Sequence, residues 1–247
     1  MGTVDLNADL GESFGRWTLG DDAAMSTIVT SANIACGFHA GDPLTLIRTC
    51  RMAVENDVTI GAQVGYRDLA GFGRRFVDVD AEDLTADVLY QIGALDGIAH
   101  SVGGRVAYLK PHGALYHATV DDDRQAGAVV AAVLAHGGHL PILGFPGSAL
   151  LARAEAEGVR TVTEWFVDRG YDTEGRLLPR RLPEALITDP EVAAKRAVRA
   201  AEDEVAESFC LHGDTPGAVV MGQRVRDALI EAGVGLAPFV NGGDDGC

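Results

Sequence analysis

Strand-like apolar runs and helix-like amphipathic runs alternate seven times along the 247 residues, joined by short turns. Parallel strands need a crossover between them, usually a helix, so this order points to a parallel sheet with helices outside it. Nearly continuous apolar runs such as 141–145 fit strands buried on both faces. Asp9, Glu12, His39, Asp42, Lys110, His112, Glu164, Asp168, His212 and Asp214 all fall at the carboxyl ends of predicted strands. In a closed (β/α) barrel those ends share one face, where catalytic groups collect, whereas an open doubly wound sheet would divide them between crevices. The expectation is one α/β domain over residues 1–240, followed by a glycine- and aspartate-rich tail, 241–247, that frays.

The junctions carry the chemistry. Residues 33–43 read as a buried strand running into a turn, with Asp42 as N-cap and Pro43 opening a helix that buries Leu46, Ile47, Cys50, Ala53 and Val54. The strand at 4–9 delivers Asp9, and the turn after it holds Glu12. After the strand at 59–66 comes a glycine-bearing loop with Arg74 and Arg75 side by side, suited to an anion. Lys110 and His112 stand two residues apart at a strand end, so both are expected to face an accessible mouth, Lys110 toward an anion and His112 for proton transfer. The chain after Pro111 reads as an exit turn, with the next helix over 123–135. A helix capped at Asp189 is expected to carry Val192, Val198, Ala201 and Val205, and the last helix to be capped by Asp214 or Thr215 and opened by Pro216.

Thirty-six acidic against 20 basic residues give a net charge of −16, which repels nucleic acid and anionic lipid. An anionic substrate would need a local positive pocket. Four cysteines without metal or redox spacing read as free thiols, and with no apolar signal region or membrane-length run the expected location is the cytoplasm. There is no Gly-x-x-x-x-Gly-Lys-Ser/Thr phosphate loop.

Six ordered stretches, at 5–15, 33–43, 68–75, 110–116, 168–171 and 212–218, resemble the LamB/YcsF family, to which the A subunit of bacterial ATP-dependent 5-oxoprolinase belongs. The resemblance implies a seven-stranded irregular (β/α) barrel similar to the glycoside hydrolase/deacetylase superfamily. It also implies ATP-driven opening of 5-oxoproline to glutamate in a complex with B and C subunits, with ATP as a co-substrate of that complex. Two positions depart from the family pattern: Ala8 replaces a frequent Cys, and Gln63-Val64 replaces a frequent His-Pro, so no metal or acid/base role carries over to residue 63.

Opening a lactam with water requires a base for the water, an acid for the ring nitrogen and a cation for the substrate's charge. Asp9, His39, Lys110, His112 and His212 are the catalytic candidates; Glu12, Asp42, Arg74, Arg75, Asp168 and Asp214 are the substrate-binding candidates. The deacetylase-like fold raises a divalent metal, with no ligand set assigned. A non-catalytic subunit that binds a small carboxylate, or a metal-dependent carbohydrate deacetylase, would use the same face.

Overall fold

The computed structural model describes residues 2–214 and 217–240, so the expected 241–247 tail lies outside the described residues. Seven strands form the barrel: β1 (Thr3–Leu10), β2 (Ser31–Ala35), β3 (Thr59–Val64), β4 (Val106–Pro111), β5 (Ile142–Gly144), β6 (Thr161–Phe166) and β7 (Ser208–Leu211). All pair in parallel with their sequence neighbours, and β1 pairs with both β2 and β7, which closes the ring. A two-residue β8 (Gly235–Leu236) adds to the start of β1. Around the ring lie α1 (Asp22–Met25), α2 (Pro43–Glu55), α3 (Ala81–Ser101), α4 (Gly113–Asp121), α5 (Asp123–Ala135), α6 (Ala149–Ala156), α7 (Pro190–Glu202) and α8 (Ala218–Glu231). The α/β barrel expected from the alternation is the fold observed.

Local chemistry explains most boundaries. The Asp42 carboxylate accepts from the backbone N–H of Leu44 (3.0 Å) and Thr45 (3.3 Å), and Pro43 opens α2. Where an exit turn is expected after Pro111, the chain forms α4, burying Leu115, Tyr116 and Thr119. Gly113 starts it at φ +55°, and a Cβ there would lie 2.7 Å from the Gly73 carbonyl oxygen, so this contact requires glycine. The α7 face also differs from expectation. Ala193, Ala194, Ala197 and Ala200 are buried and the expected Val198 and Ala201 pack partly buried against the core, while Val192 is exposed, because the helical period sets the small residues inward; Val205 lies beyond the end of α7 and is exposed. Helix α8 begins at Ala218 with Gly217 as its N-cap; Thr215 and Pro216 lie outside the described residues, and Asp214 pairs elsewhere.

Alternation in β1 has a different meaning from the usual half-exposed strand. Leu6, Ala8 and Leu10 pack into the main hydrophobic core, while Asp5, Asn7 and Asp9 on the opposite face are buried as well. The barrel interior is therefore a polar network. Asn33 Nδ2 donates to Asn7 Oδ1 (2.7 Å) and Asp9 Oδ1 (2.9 Å), Tyr108 Oη donates to Asn33 Oδ1 (2.7 Å), and Asn7 Nδ2 donates to Ser208 Oγ (2.7 Å). At its base Asp5 accepts from Thr30, Ser31 and Ser208 hydroxyls.

Burial raises the Asp5 carboxyl from 3.8 to about 6, against the lowering effect of those hydroxyls. With the folded pKa above the unfolded one, the folded state gains a proton first on acidification, so this group adds stability as pH falls through about 6 and stops adding near 4. At ~1.4 kcal/mol per pKa unit the gain is on the order of 2–3 kcal/mol. Thermal melts of the wild type and Asp5→Asn between pH 7 and 4.5 should move relative to each other in the wild type's favour. Parallel profiles would show that Asp5 does not titrate in this range.

Candidate active site

A cavity of about 590 Å³ opens at the carboxyl ends of β1, β4, β6 and β7, walled on one side by the segment that follows β6. Of the expected site residues, Asp9, Arg74, Lys110, His112 and His212 line it. Asp214 holds Arg74 at 2.6 Å. Asp42 caps α2 and accepts from Gly15 N–H, and Arg75 turns away to pair with Asp68, so neither lines the cavity. Glu12, His39 and Asp168 are buried and do not line it either, but each contacts a residue that does.

His212 and Asp168 form a dyad. His212 Nδ1 lies 2.9 Å from both Asp168 oxygens, and the His212 backbone N–H donates to Oδ2 at 3.2 Å. Burial would raise the Asp168 carboxyl, but His212 outweighs it and holds the group below the usual carboxylate range. In the neutral ring, an ionised Asp168 that accepts the Nδ1 proton leaves Nε2 with the lone pair, on a side chain that lines the cavity. Phe166 stacks on that ring at 5.4 Å and fixes its plane. Asp168, expected as a substrate contact, instead stands behind the histidine.

Lys110 is buried at 2% exposure, which corrects the expectation of an accessible mouth position. Its ammonium lies 2.6 Å from Glu164 Oε1, 3.3 Å from Asp9 Oδ1 and 3.1 Å from Cys210 Sγ, and 5.2 Å from the Phe166 ring centroid. Burial alone would lower its pKa, but Asp9, Cys210 and Glu164 hold it well above 10.5, so the lysine is charged. The physical reason for the burial is the closed barrel: the inward side of β4 points into the polar interior of the ring and not outward at its rim. Neither Glu164 oxygen has a well-aligned hydrogen bond, and Tyr116 Oη beside it also lacks one.

Behind His112 lies a second cluster, centred on Gln63. His112 Nε2 is 2.9 Å from the Phe72 carbonyl oxygen and so carries the hydrogen, and its Nδ1 accepts from Gln63 Nε2 at 3.1 Å. Gln63 Nε2 also donates to Glu12 Oε1 (3.2 Å), and its Oε1 accepts from His39 Nε2–H (3.2 Å). The two imidazoles stack at 3.9 Å, a spacing that Gly65 and Gly73 permit, since a Cβ on either would meet His39 within 2.8 Å. Burial lowers His112 to about 3 and His39 well below 6.5, and it raises Glu12 well above 4.5, with Asp9 adding to the rise. His39 Nδ1 is left buried without a partner. Donor atoms of Glu12, His39 and His112 lie within 4.8 Å of one another, so one carboxylate and two imidazoles fit a divalent cation in type and spacing.

Sequence reasoning gave no role to four residues that the structure puts at the site. His117 and Tyr116 come from the unexpected α4, and Arg169 and Arg180 from the segment after β6. The arginines lie in polar loop stretches that the sequence marks, but nothing local shows which way a loop side chain turns.

Fold and site together define a closed parallel (β/α) barrel with a histidine oriented by an aspartate in a cavity at its carboxyl mouth. The sequence profile of the LamB/YcsF family matches residues 4–242, and the chain belongs to that family. Relatives named as the A subunit of 5-oxoprolinase include those of Streptomyces coelicolor, 54% identical over 96% of this chain and 99% of the relative, and Mycobacterium leprae, 53% identical over 97% and 100%. The crystal structure of the lactam utilization protein from Thermus thermophilus superposes with a TM-score of 0.92 at 40% identity, covering 96% of this chain and all of that one.

Proposed function

We propose that this chain is the A subunit of an ATP-dependent 5-oxoprolinase, which with B and C subunits converts 5-oxo-L-proline to L-glutamate. The full-length likeness to proteins bearing that name supports the reading. The observation that carries it is the Asp168–His212 dyad opening on a cavity of small-molecule size.

Lactam hydrolysis moves one proton off water and one onto the ring nitrogen. His212 Nε2 takes the proton from the attacking water, with Asp168 orienting the ring and stabilising the imidazolium, and the imidazolium then delivers a proton to the leaving nitrogen. Lys110, held charged in the cavity wall, stabilises negative charge developing on the lactam oxygen before or during its activation by ATP. A divalent cation would be held by Glu12, His39 and His112 and would act as a Lewis acid. Without one, Gln63 joins the same three side chains and keeps His112 fixed at the cavity edge.

The test is reconstitution: glutamate forms from 5-oxoproline and ATP when this chain and both partners are present, and stops when this chain is omitted.

A further inference from the structure

Among the described residues, each lysine or arginine that lines the cavity makes an ion pair or hydrogen bonds within the protein, except one. Lys110 is held by Glu164 and Asp9, and Arg74 by Asp214. Arg169 is buried, with its guanidinium donating to the Ala185 (3.0 Å) and Leu178 (2.7 Å) carbonyl oxygens, which fixes the segment after β6 in place. Arg180, on that segment, lines the cavity half-buried, yet its guanidinium makes no hydrogen bond or ion pair with any described residue. Burial and the nearby Arg74 push its pKa down and outweigh the upward pull of Asp214, Asp168 and Asp9, none of which is in ion-pair contact, so its charge is held there at a cost. In a chain of net charge −16, a half-buried cation turned into a cavity with no carboxylate in contact is suited to receive an anion.

The surroundings restrict which anion. Leu177, Leu178 and Pro179 precede Arg180 directly and line the same cavity, and Phe76 lines it too, so the charged point adjoins an apolar wall. A small molecule with one anionic group on an apolar body matches this, and a planar guanidinium meets a carboxylate through paired N–H···O bonds. A polyphosphate would need several cations free to turn to it or a cradle of backbone N–H groups, and the described lining supplies one guanidinium without an internal partner.

We propose that Arg180 recognises the substrate's carboxylate, so that the cavity selects a lactam bearing an acid group over a neutral lactam. This rests on the 5-oxoproline reading above. The experiment is steady-state kinetics of the reconstituted complex with wild type, Arg180→Met and Arg180→Lys, with 2-pyrrolidinone as the neutral lactam, tested as substrate or competitive inhibitor. Arg180→Met should raise KM for 5-oxoproline about 10–100-fold, the size of a lost charge-assisted pair, with kcat within a few-fold. Its effect on 2-pyrrolidinone should be negligible, Arg180→Lys should recover part of the loss, and the melting temperature of Arg180→Met should not fall, because the Arg180 guanidinium makes no hydrogen bond or ion pair with any described residue and its charge is held at a cost. An unchanged KM for 5-oxoproline, or a rise in KM for ATP instead, overturns the assignment; the second result would show that the guanidinium serves a phosphate. A wild-type complex that makes no glutamate defeats the underlying reading, whereas a working wild type with an equally good Arg180→Met variant defeats Arg180 alone.

Discussion

His212→Asn lowers glutamate formation by the reconstituted complex about 10²–10⁴-fold, the range expected for loss of a general acid–base group. The melting temperature changes little, because the asparagine amide can still donate to Asp168 in place of Nδ1. Asp168→Asn lowers turnover in the same direction by a different route. Its amide group no longer compels the Nδ1–H tautomer, so Nε2 is not reliably the free base. The comparison also divides His212 from His112. His112 lines the cavity, but both of its nitrogens are engaged, one with Phe72 and one with Gln63, and burial leaves it neutral. Steady-state kcat for the variants decides the matter. If His212→Asn stays within about threefold of wild type while His112→Asn falls about a hundredfold, the size of a lost acid–base group, the catalytic base has been placed on the wrong strand.

The second large effect is on stability. Lys110→Met removes the cation from a buried group with Asp9 and Glu164, where the ammonium lies 3.3 Å and 2.6 Å from carboxylate oxygens. Breaking a buried ion pair from one side costs about 3–5 kcal/mol. In a chain of this length that lowers the melting temperature by roughly 10 °C. The cost depends on pH. Burial raises Asp9's pKa, and Lys110 and His212 together bring it below 3.8. Without Lys110 a principal lowering influence is gone and the folded pKa rises toward the direction set by burial, so the penalty is full at neutral pH and is relieved as pH falls through the range where Asp9 protonates. The gap between wild type and variant in thermal melts should therefore narrow toward pH 5. A Lys110→Met protein that melts with the wild type at pH 7 would mean that the ammonium is solvated.

The barrel and the convergence of Asp9, Lys110, His112 and His212 on one cavity were readable from the chain, because strand–helix alternation and the position of polar residues at strand ends are local patterns. Burial of the polar half of β1 and of Lys110 was not. A polar/apolar alternation looks the same whether its polar side meets water or a closed, hydrogen-bonded interior. Loop partners were equally opaque: Arg74 and Arg75 are neighbours, yet one lies over Phe72 and pairs with Asp214, while the other closes back on Asp68. Those choices are made by residues up to 140 positions away. Gln63 shows the converse limit. It departs from the family pattern, and only the fold reveals that it joins two histidines and a glutamate.

The most direct test follows glutamate and phosphate separately in mixtures of the B and C subunits with wild-type chain, His212→Asn chain or no chain. Glutamate should form in step with phosphate only when the wild-type chain is present, and His212→Asn should lose glutamate formation while remaining folded. Undiminished glutamate formation without this chain, or with His212→Asn in its place, would contradict a catalytic role and leave a protein that binds a small carboxylate without acting on it.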